Sequence, residues 1–499
     1  METVNTSRRM AAPETNGAAT GLRAYEDLRH WLEIVDSVGE LKKLRGAHWK
    51  LEIGTLAELI ARERQGTIPA LLFDNIPEYP TGSRILFGQY CSFRRLALTL
   101  GLPLESTGLD LVDRFRKKLS SLKPIPPRLV KTGPVLENRL AGDDIDLYKF
   151  PVPFIHELDG GRFIGTACAA ITRDPDENWT NLGTYRAMVH DRKSMGLFTS
   201  SVSKHARVHM EKYFKQGKPC PVVVTVGQDP LLLLGAGSPL EFGSSELDYC
   251  GGLRGKAFDV VEGEVTGLPF PAHAEIAIEG FMHPGDIKRE GPFGEWLGYY
   301  GSEMQDTPVV RVERIYHRND PILCCARPGR PPTDYSLANC VIIAAHIWDH
   351  VEKAGLPNVK GVWCLEPGVG RLFNVISIKQ AYPGHARQAL YLASQVLGGA
   401  YIGRFVVVVD DDIDPTSIFD VLWAMATRCD PEKSIEILRR CWSGALDVAI
   451  APENRGLNSR ALIDACKPYE RRSEFPPIAE SSEELKAKVR EKWRDLIFG

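Results

Sequence analysis

Two glutamates five positions apart, Glu290 and Glu295, bracket the tetrapeptide Gly-Pro-Phe-Gly. Pro292 removes a backbone donor, and Gly291 and Gly294 weaken any regular element, so the segment reads as a rigid loop that carries two acids. Acid–base chemistry needs such groups held close to a reacting atom. Trp296, Leu297, Tyr299 and Tyr300 follow directly. Partial burial beside them would raise a carboxyl pKa toward neutrality, as a general acid requires. An acidic surface turn is the competing reading of the hexapeptide alone.

A second group begins at Trp179-Thr-Asn181-Leu182-Gly183-Thr184-Tyr185-Arg186 and continues at Lys204-His205 and Glu246. Asn181, His205 and Glu246 offer an amide oxygen, an imidazole and a carboxylate, a set that suits Mg²⁺ or Mn²⁺ bridging to a phosphate. The planar fork of Arg186 matches a carboxylate. Taken singly, each of these residues is equally at home in packing or at a surface. Two further motifs read as structural. Asp410, Asp411, Asp412 and Asp414 leave a Val-rich strand and suit a helix start near Thr416. His346 and His350 share a helix face, but Ile347 stands where a zinc protease places its general base.

The elements that must position these groups divide the chain into five parts. Residues 1–20 read as a disordered tail. Residues 21–130 read as an N-terminal α/β region, with a helix marked by Leu28, Trp31, Leu32 and Val35, short strands at Pro69–Phe73 and Arg84–Phe87, and a helix over Leu109–Leu119. The prolines of Lys123–Arg128 then favour an extended link. Residues 131–328 are rich in β-branched segments, at Arg162–Ile171, Pro221–Val226, Ala272–Ile278 and Val309–Ile315, and imply an antiparallel sheet or barrel. Residues 329–480 alternate helix (Ala338–Val351) with strand (Val362–Leu365, Leu372–Ile376, Phe405–Val409), an α/β pattern. Residues 481–499 form a terminal helix that opens on a capping box, Ser481 to Glu484. Its apolar face of Leu485, Val489, Trp493 and Leu496 is expected to dock on the chain or on a neighbour.

Bulk properties exclude several classes. A chain of 499 residues implies two or three domains. A net charge of −3 offers no basic field for nucleic acid. No apolar run reaches the length of about 18 residues that a membrane span needs. The eleven cysteines are scattered without a Cys-x-x-Cys pair, and the N-terminus has no apolar core of signal-peptide length. Reduced thiols and a cytoplasmic location are therefore expected.

Several motifs together resemble the UbiD family of reversible decarboxylases, ferulic acid decarboxylase among them. They are Pro151-Val-Pro153 with Asp159-Gly-Gly161, Trp179-Thr-Asn181, Tyr185–Asp191, Glu290–Glu295, Arg330–Thr333 and Val409–Asp414 leading to Leu422–Arg428. The resemblance spans nearly the whole chain. It implies a central split β-barrel of the flavin-reductase type and a C-terminal domain that makes a homodimer or homohexamer. It implies prenylated FMN, Mn²⁺ (or Mg²⁺) and K⁺, with a flavin prenyltransferase as supplier of the cofactor. By motif position Asn181, His205 and Glu246 would hold the metal. Residues 181–186, with Lys204, would contact the cofactor, and Arg186, Glu290 and Glu295 would form the catalytic network. Glu295 would protonate the carbon that loses CO₂ from an α,β-unsaturated, aromatic or heteroaromatic carboxylate. Two departures stand out: Gly398 occupies a position where many members place a phosphate-binding Lys, leaving Arg404 as the nearest cation in sequence, and Lys204 replaces a frequent Gln. Trp296, Tyr299 and Tyr335 suggest a flat aromatic partner. The alternatives are an FMN-dependent oxidoreductase on the same barrel, a cofactor-free hydrolase and a non-catalytic scaffold.

Overall fold

The computed structural model describes residues 24–498, apart from 65, 200–203, 239, 302 and 445. The expected tail at 1–20 lies outside them. Near the N-terminus the helix Leu28–Ser37 buries Leu28, Trp31, Leu32 and Val35, the face its periodicity marks. Asp27 caps it by accepting from the backbone N–H of His30 at 2.9 Å. This helix covers a four-stranded sheet of Leu41–Arg45, Ala70–Asp74, Arg84–Phe87 and Ile322–Cys324. The last strand arrives from far along the chain and pairs parallel with Arg84–Phe87. Its return stitches the N-terminal layer to the segment that follows the acid pair.

The central sheet carries the residues of interest. Its strands are β1 (Cys168–Arg173), β2 (Thr180–Gly183), β3 (Val189–Asp191), β4 (Ser194–Gly196), β5 (Cys220–Val226), β6 (Ile276–Glu290) and β7 (Gln305–His317). They lie in the order β2-β1-β5-β6-β7-β4-β3, and a further strand, Asn138–Ala141, pairs with β7. No hydrogen-bonded pairing closes this path among the described residues. Its two ends, β2 and β3, are nonetheless neighbours in sequence, joined by 184–188. Arg186 therefore sits in the segment that crosses from one edge of the sheet to the other. Two helices complete this layer, α1 (His205–Lys215) and α2 (Glu246–Arg254).

The structure corrects three expected elements here. The segment expected as a strand from Arg162 becomes one only at Cys168, because the preceding residues wrap around the acid-bearing loop. Glu290 is the last residue of the long antiparallel strand β6, opposite Gln305, so only Glu295 belongs to the loop. The terminal helix starts at Glu483, with Ser482 as its cap rather than Ser481. Its apolar face does not dock on the described residues: Leu485 and Leu496 remain 49% and 77% exposed.

The C-terminal five-stranded sheet runs Val359–Cys364, Phe373–Ile378, Phe405–Asp410, Leu457–Asp464, Ile435–Trp442. Phe405–Asp410 is parallel to both neighbours, which is why Val406–Val409 can be continuously apolar. The helix Ser336–Lys353 packs on this sheet and holds His346 in a buried setting that pushes its pKa down to about 4, consistent with a structural role. The acidic run is neutralised internally. Arg428 bonds both Asp410 and Asp412, Lys467 bonds Asp412, and Asp414 accepts from the Thr416 N–H just ahead of the helix that Ser417 caps. None of the eleven cysteines forms a disulfide. Among the described residues no helix is long and apolar enough to cross a membrane.

Candidate active site

Arg186 lies between the two acids. Its Nε donates to Glu290 Oε1 and its Nη1 to Glu295 Oε1, both at 2.7 Å. Glu290 is fully buried and Glu295 nearly so. Burial pushes both carboxyl pKa values up, against the opposing pull of the Arg186 guanidinium. The guanidinium also stacks at 3.9 Å over the Phe198 ring. Its remaining nitrogen, Nη2, is buried and bonds to no protein group among the described residues. A buried donor on a charged group calls for an acceptor, and a substrate carboxylate supplies one. Phe293 and Phe163, tilted against one another with centroids 4.0 Å apart, form an apolar wall beside it.

The loop that carries Glu295 is held by Asp159. This carboxylate accepts from the His156 N–H at 2.9 Å and from Tyr300 Oη at 3.1 Å, and it also takes a backbone bond from Gly294. Gly160 donates its N–H to Pro292 O at 2.7 Å, and its Cα approaches Gly291 O so closely that a Cβ would stand 1.8 Å from it. The Asp-Gly-Gly motif is thus the backing of the loop, with Asp159 tied to residues on both sides of Glu295. Glu295 itself opens a tight turn, accepting from the Gly298 N–H and donating its own N–H to Tyr299 O at 2.8 Å. In an Asp159→Asn variant the amide N–H₂ would face a backbone N–H. We expect kcat to fall roughly ten- to a hundredfold from loss of loop register, with cofactor content and KM little changed. Steady-state kinetics beside the flavin spectrum of the variant checks this.

A second set gathers at two helix N-termini. His205 is the first residue of α1 and Glu246 the first of α2, and their side chains approach to 3.7 Å. Glu246 Oε2 accepts from the Leu182 N–H at 2.8 Å, which sets it next to Asn181 on β2. Asn181 is buried, and Trp179 stands edge-on to His205 with centroids 5.2 Å apart. Tyr185 Oη accepts from the Ala206 N–H, and burial raises its pKa to about 12. Among the described residues no three His, Cys, Asp or Glu side chains cluster as a metal site. His205 and Glu246 make a pair, and the third donor would be the Asn181 amide.

Unpaired cations complete the set. The Lys204 side chain, at the cap position of α1, makes no capping hydrogen bond and no ion pair with any described residue. Protein surrounds it closely and lowers its pKa, yet the residue is still wetted by solvent, as a group lining a cavity is. Arg371 is similar: enclosed, half-exposed and without an ion pair among the described residues, it faces the rings of Tyr401 (5.4 Å) and Trp296 (5.9 Å). The nearby Arg371 charge adds to the lowering of the Lys204 pKa. Two helix N-termini and two cations without an ion pair among the described residues could receive an anion, and the donors present suit a phosphate with a divalent metal.

The sequence expectations therefore meet in two neighbouring clusters, Arg186/Glu290/Glu295 and Asn181/His205/Glu246 with Lys204. Arg404 is corrected: it is committed to an ion pair with Asp447 and is not a free cation for a phosphate. Arg371 was missed, and its signal is the Gly368-Val-Gly-Arg371 turn, where Val369 and Gly370 adopt positive φ just ahead of a strand. Of the three aromatics expected to meet a flat partner, only Trp296 borders the site. Tyr299 is mostly exposed, and Tyr335 packs on Tyr90 at 5.3 Å. Phe198 and Phe293 are the rings beside the Arg186 guanidinium. A cleft of about 410 Å³ opens beside the loop between His156, Gly294, Tyr300 and Arg327, but neither Arg186 nor the two acids line it.

Comparison with known proteins places these clusters in context. Residues 32–115, 128–331 and 337–465 match the N-terminal, Rift-related and C-terminal domains of 3-octaprenyl-4-hydroxybenzoate carboxy-lyase. The chain is 32% identical to pyrrole-2-carboxylic acid decarboxylase of Pseudomonas aeruginosa, over 96% of its own length and 99% of that protein's. It is 29% identical to phenolic acid decarboxylase of a Streptomyces species, over 89% and 93% of the two chains. Among solved structures, the UbiD-class enzyme HmfF of Pelotomaculum thermopropionicum in complex with FMN superposes with a TM-score of 0.82 at 28% identity, covering 92% of this chain and 98% of that one. An evolved dimeric form of the same enzyme, in complex with prenylated FMN, gives 0.79 at 28% identity over the same shares of the two chains.

Proposed function

We propose that this chain, which belongs to the UbiD family of decarboxylases, carries out non-oxidative decarboxylation of an aromatic, heteroaromatic or α,β-unsaturated carboxylic acid with prenylated FMN. The observation that carries the reading is the guanidinium of Arg186, bonded to two buried acids and left with one unpartnered buried nitrogen. When bound, the prenylated flavin supplies the electron sink that loss of CO₂ from an sp² carbon requires. The protein's part is to bind, orient and protonate.

Arg186 Nη2 receives the substrate carboxylate and sets it against the apolar wall of Phe198 and Phe293. Glu290, anchored at the end of β6, keeps the guanidinium in place. Glu295, whose pKa burial raises, is the proton donor to the carbon from which CO₂ departs. The aromatic walls, and the pyrrole and phenolic acids named for the relatives, support an aromatic or heteroaromatic substrate. The cofactor phosphate would be taken by Lys204, Arg371 and the two helix N-termini, through a Mn²⁺ or Mg²⁺ ion on Asn181, His205 and Glu246. Residues Leu182 to Tyr185 would line the flavin. K⁺ enters through the family resemblance.

The central sheet is read as a split barrel whose seam is crossed by 184–188. Exposed Phe419, Trp423, Ile437 and Trp442 on the C-terminal unit support a homodimer or homohexamer. Unpaired cysteines support a reducing, cytoplasmic setting. A flavin prenyltransferase would supply the cofactor.

The test is to co-express the chain with a flavin prenyltransferase and follow CO₂ release across a panel of aryl, heteroaryl and acrylic acids. Flavin bleaching by NAD(P)H without CO₂ release would favour the oxidoreductase reading instead. For the phosphate set, Lys204→Ala and Arg371→Ala are each expected to weaken flavin retention by roughly tenfold or more, since each removes a charged donor. His205→Ala should yield colourless protein. Flavin absorbance of the purified variants, with circular dichroism as a folding control, checks both statements.

A further inference from the structure

Arg186 does not choose between its acids, because its two bonds to them are equal at 2.7 Å. Two carboxylates around one guanidinium, both raised in pKa by burial, favour keeping one proton between them. That proton is useful only on Glu295, so something else must keep Glu290 ionised.

The neighbourhood of Glu290 contains such a group. Glu290 Oε2 and His190 Nε2 are both buried and without a protein partner. They face one small cradle at Gly196 on β4. A Cβ placed there would lie 2.7 Å from Glu290 Oε2 and 3.1 Å from His190 Nε2, with the Thr307 methyl at 3.4 Å. Glycine is therefore required at this position by space, not by backbone conformation. His190 is the extra residue of a bulge between Val189 and Asp191 in the β3–β4 ladder. Bulges re-aim side chains and recur beside active sites.

We propose that His190 is a positioning residue: through one water held in the Gly196 cradle it donates a hydrogen bond to Glu290 Oε2, keeps Glu290 ionised, and so leaves the shared proton on Glu295. The proposal rests on the decarboxylase reading, in which Glu295 is the donor. Other charges around His190 are already matched. Lys288 pairs with Asp191 at 3.0 Å and Arg311 with Asp286 at 2.6 Å. Burial, reinforced by Lys288, lowers the His190 pKa and so favours the neutral ring, which has a single N–H to give.

Infrared titration of the cofactor-free protein reads the shared proton as a carboxylic-acid band, assigned by its loss in Glu295→Gln. Removing a donor from Glu290 makes the pair hold its proton more tightly. His190→Phe is therefore expected to move the loss of the band to higher pH by about one unit or more, and to lower kcat of the loaded enzyme about tenfold. His190→Gln, which keeps a donor, should restore both. Gly196→Ala should reproduce the shift with the imidazole intact. An unmoved titration in His190→Phe overturns the proposal, and so does a lowered kcat with unmoved titration in both His190 variants. If the shift appears but wild-type enzyme releases no CO₂ from any acid, the proton placement stands and the decarboxylase reading falls.

Discussion

Glu295→Gln is expected to lower kcat by ~10²–10⁴-fold while leaving flavin binding intact. The substitution preserves shape, and the amide oxygen still accepts from Arg186 Nη1, so substrate orientation survives. What is lost is the proposed proton donor to the carbon that loses CO₂. Glu295 suits that task because burial raises its pKa, and Arg186 opposes this only in part. Activity at saturating substrate, compared with flavin absorbance of the same preparation, measures the effect. Activity within a fewfold of wild type would remove Glu295 from the role.

Arg186→Met should be the most damaging change to the site as a whole. It removes the common counter-ion of two buried carboxylates and the proposed donor to the substrate carboxylate. Breaking a buried ion pair from one side costs about 3–5 kcal/mol, so a visible fall in thermal stability is expected together with loss of turnover. The loss has a pH signature. Burial already raises both acids above their ordinary range, and without Arg186 nothing opposes it. A group whose folded pKa is raised stabilises the fold below its unfolded pKa and loses that contribution as pH rises through the folded value. The variant should therefore lie closer to wild type near pH ~4 and fall further behind it toward pH ~8. Melting curves across that range check this, and adding Glu290→Gln should recover part of the deficit at high pH.

Much of the scaffold could be read from residue pattern because local rules and tertiary structure agree there. The Leu28/Trp31/Leu32/Val35 face and the apolar Phe405–Val409 strand are such cases. Patterns failed where long-range contacts decide. Glu290 became the end of a strand because β7 pairs with it across Gln305, and no local feature of Gly-Pro-Phe-Gly announces that partner. The acids and Arg186 could be singled out by type and motif, but their bridging could not, since about a hundred residues separate them along the chain. Arg371 and His190 were harder still. One comes from the C-terminal unit, and the other looks like an ordinary strand histidine until a bulge turns it toward Glu290. The terminal helix shows the opposite limit: its amphipathic face is plain in the sequence, yet none of the described residues covers it.

The most direct measurement is product analysis after turnover in D₂O, using protein loaded with prenylated flavin and manganese and supplied with pyrrole-2-carboxylate and phenolic acids. The expected product carries one deuterium at the carbon that bore the carboxylate, matched by one CO₂ and no net consumption of NAD(P)H, and Glu295→Gln abolishes the incorporation. Product formed with deuterium in wild type and equally fast in Glu295→Gln, or an acid panel from which no CO₂ emerges, would contradict it.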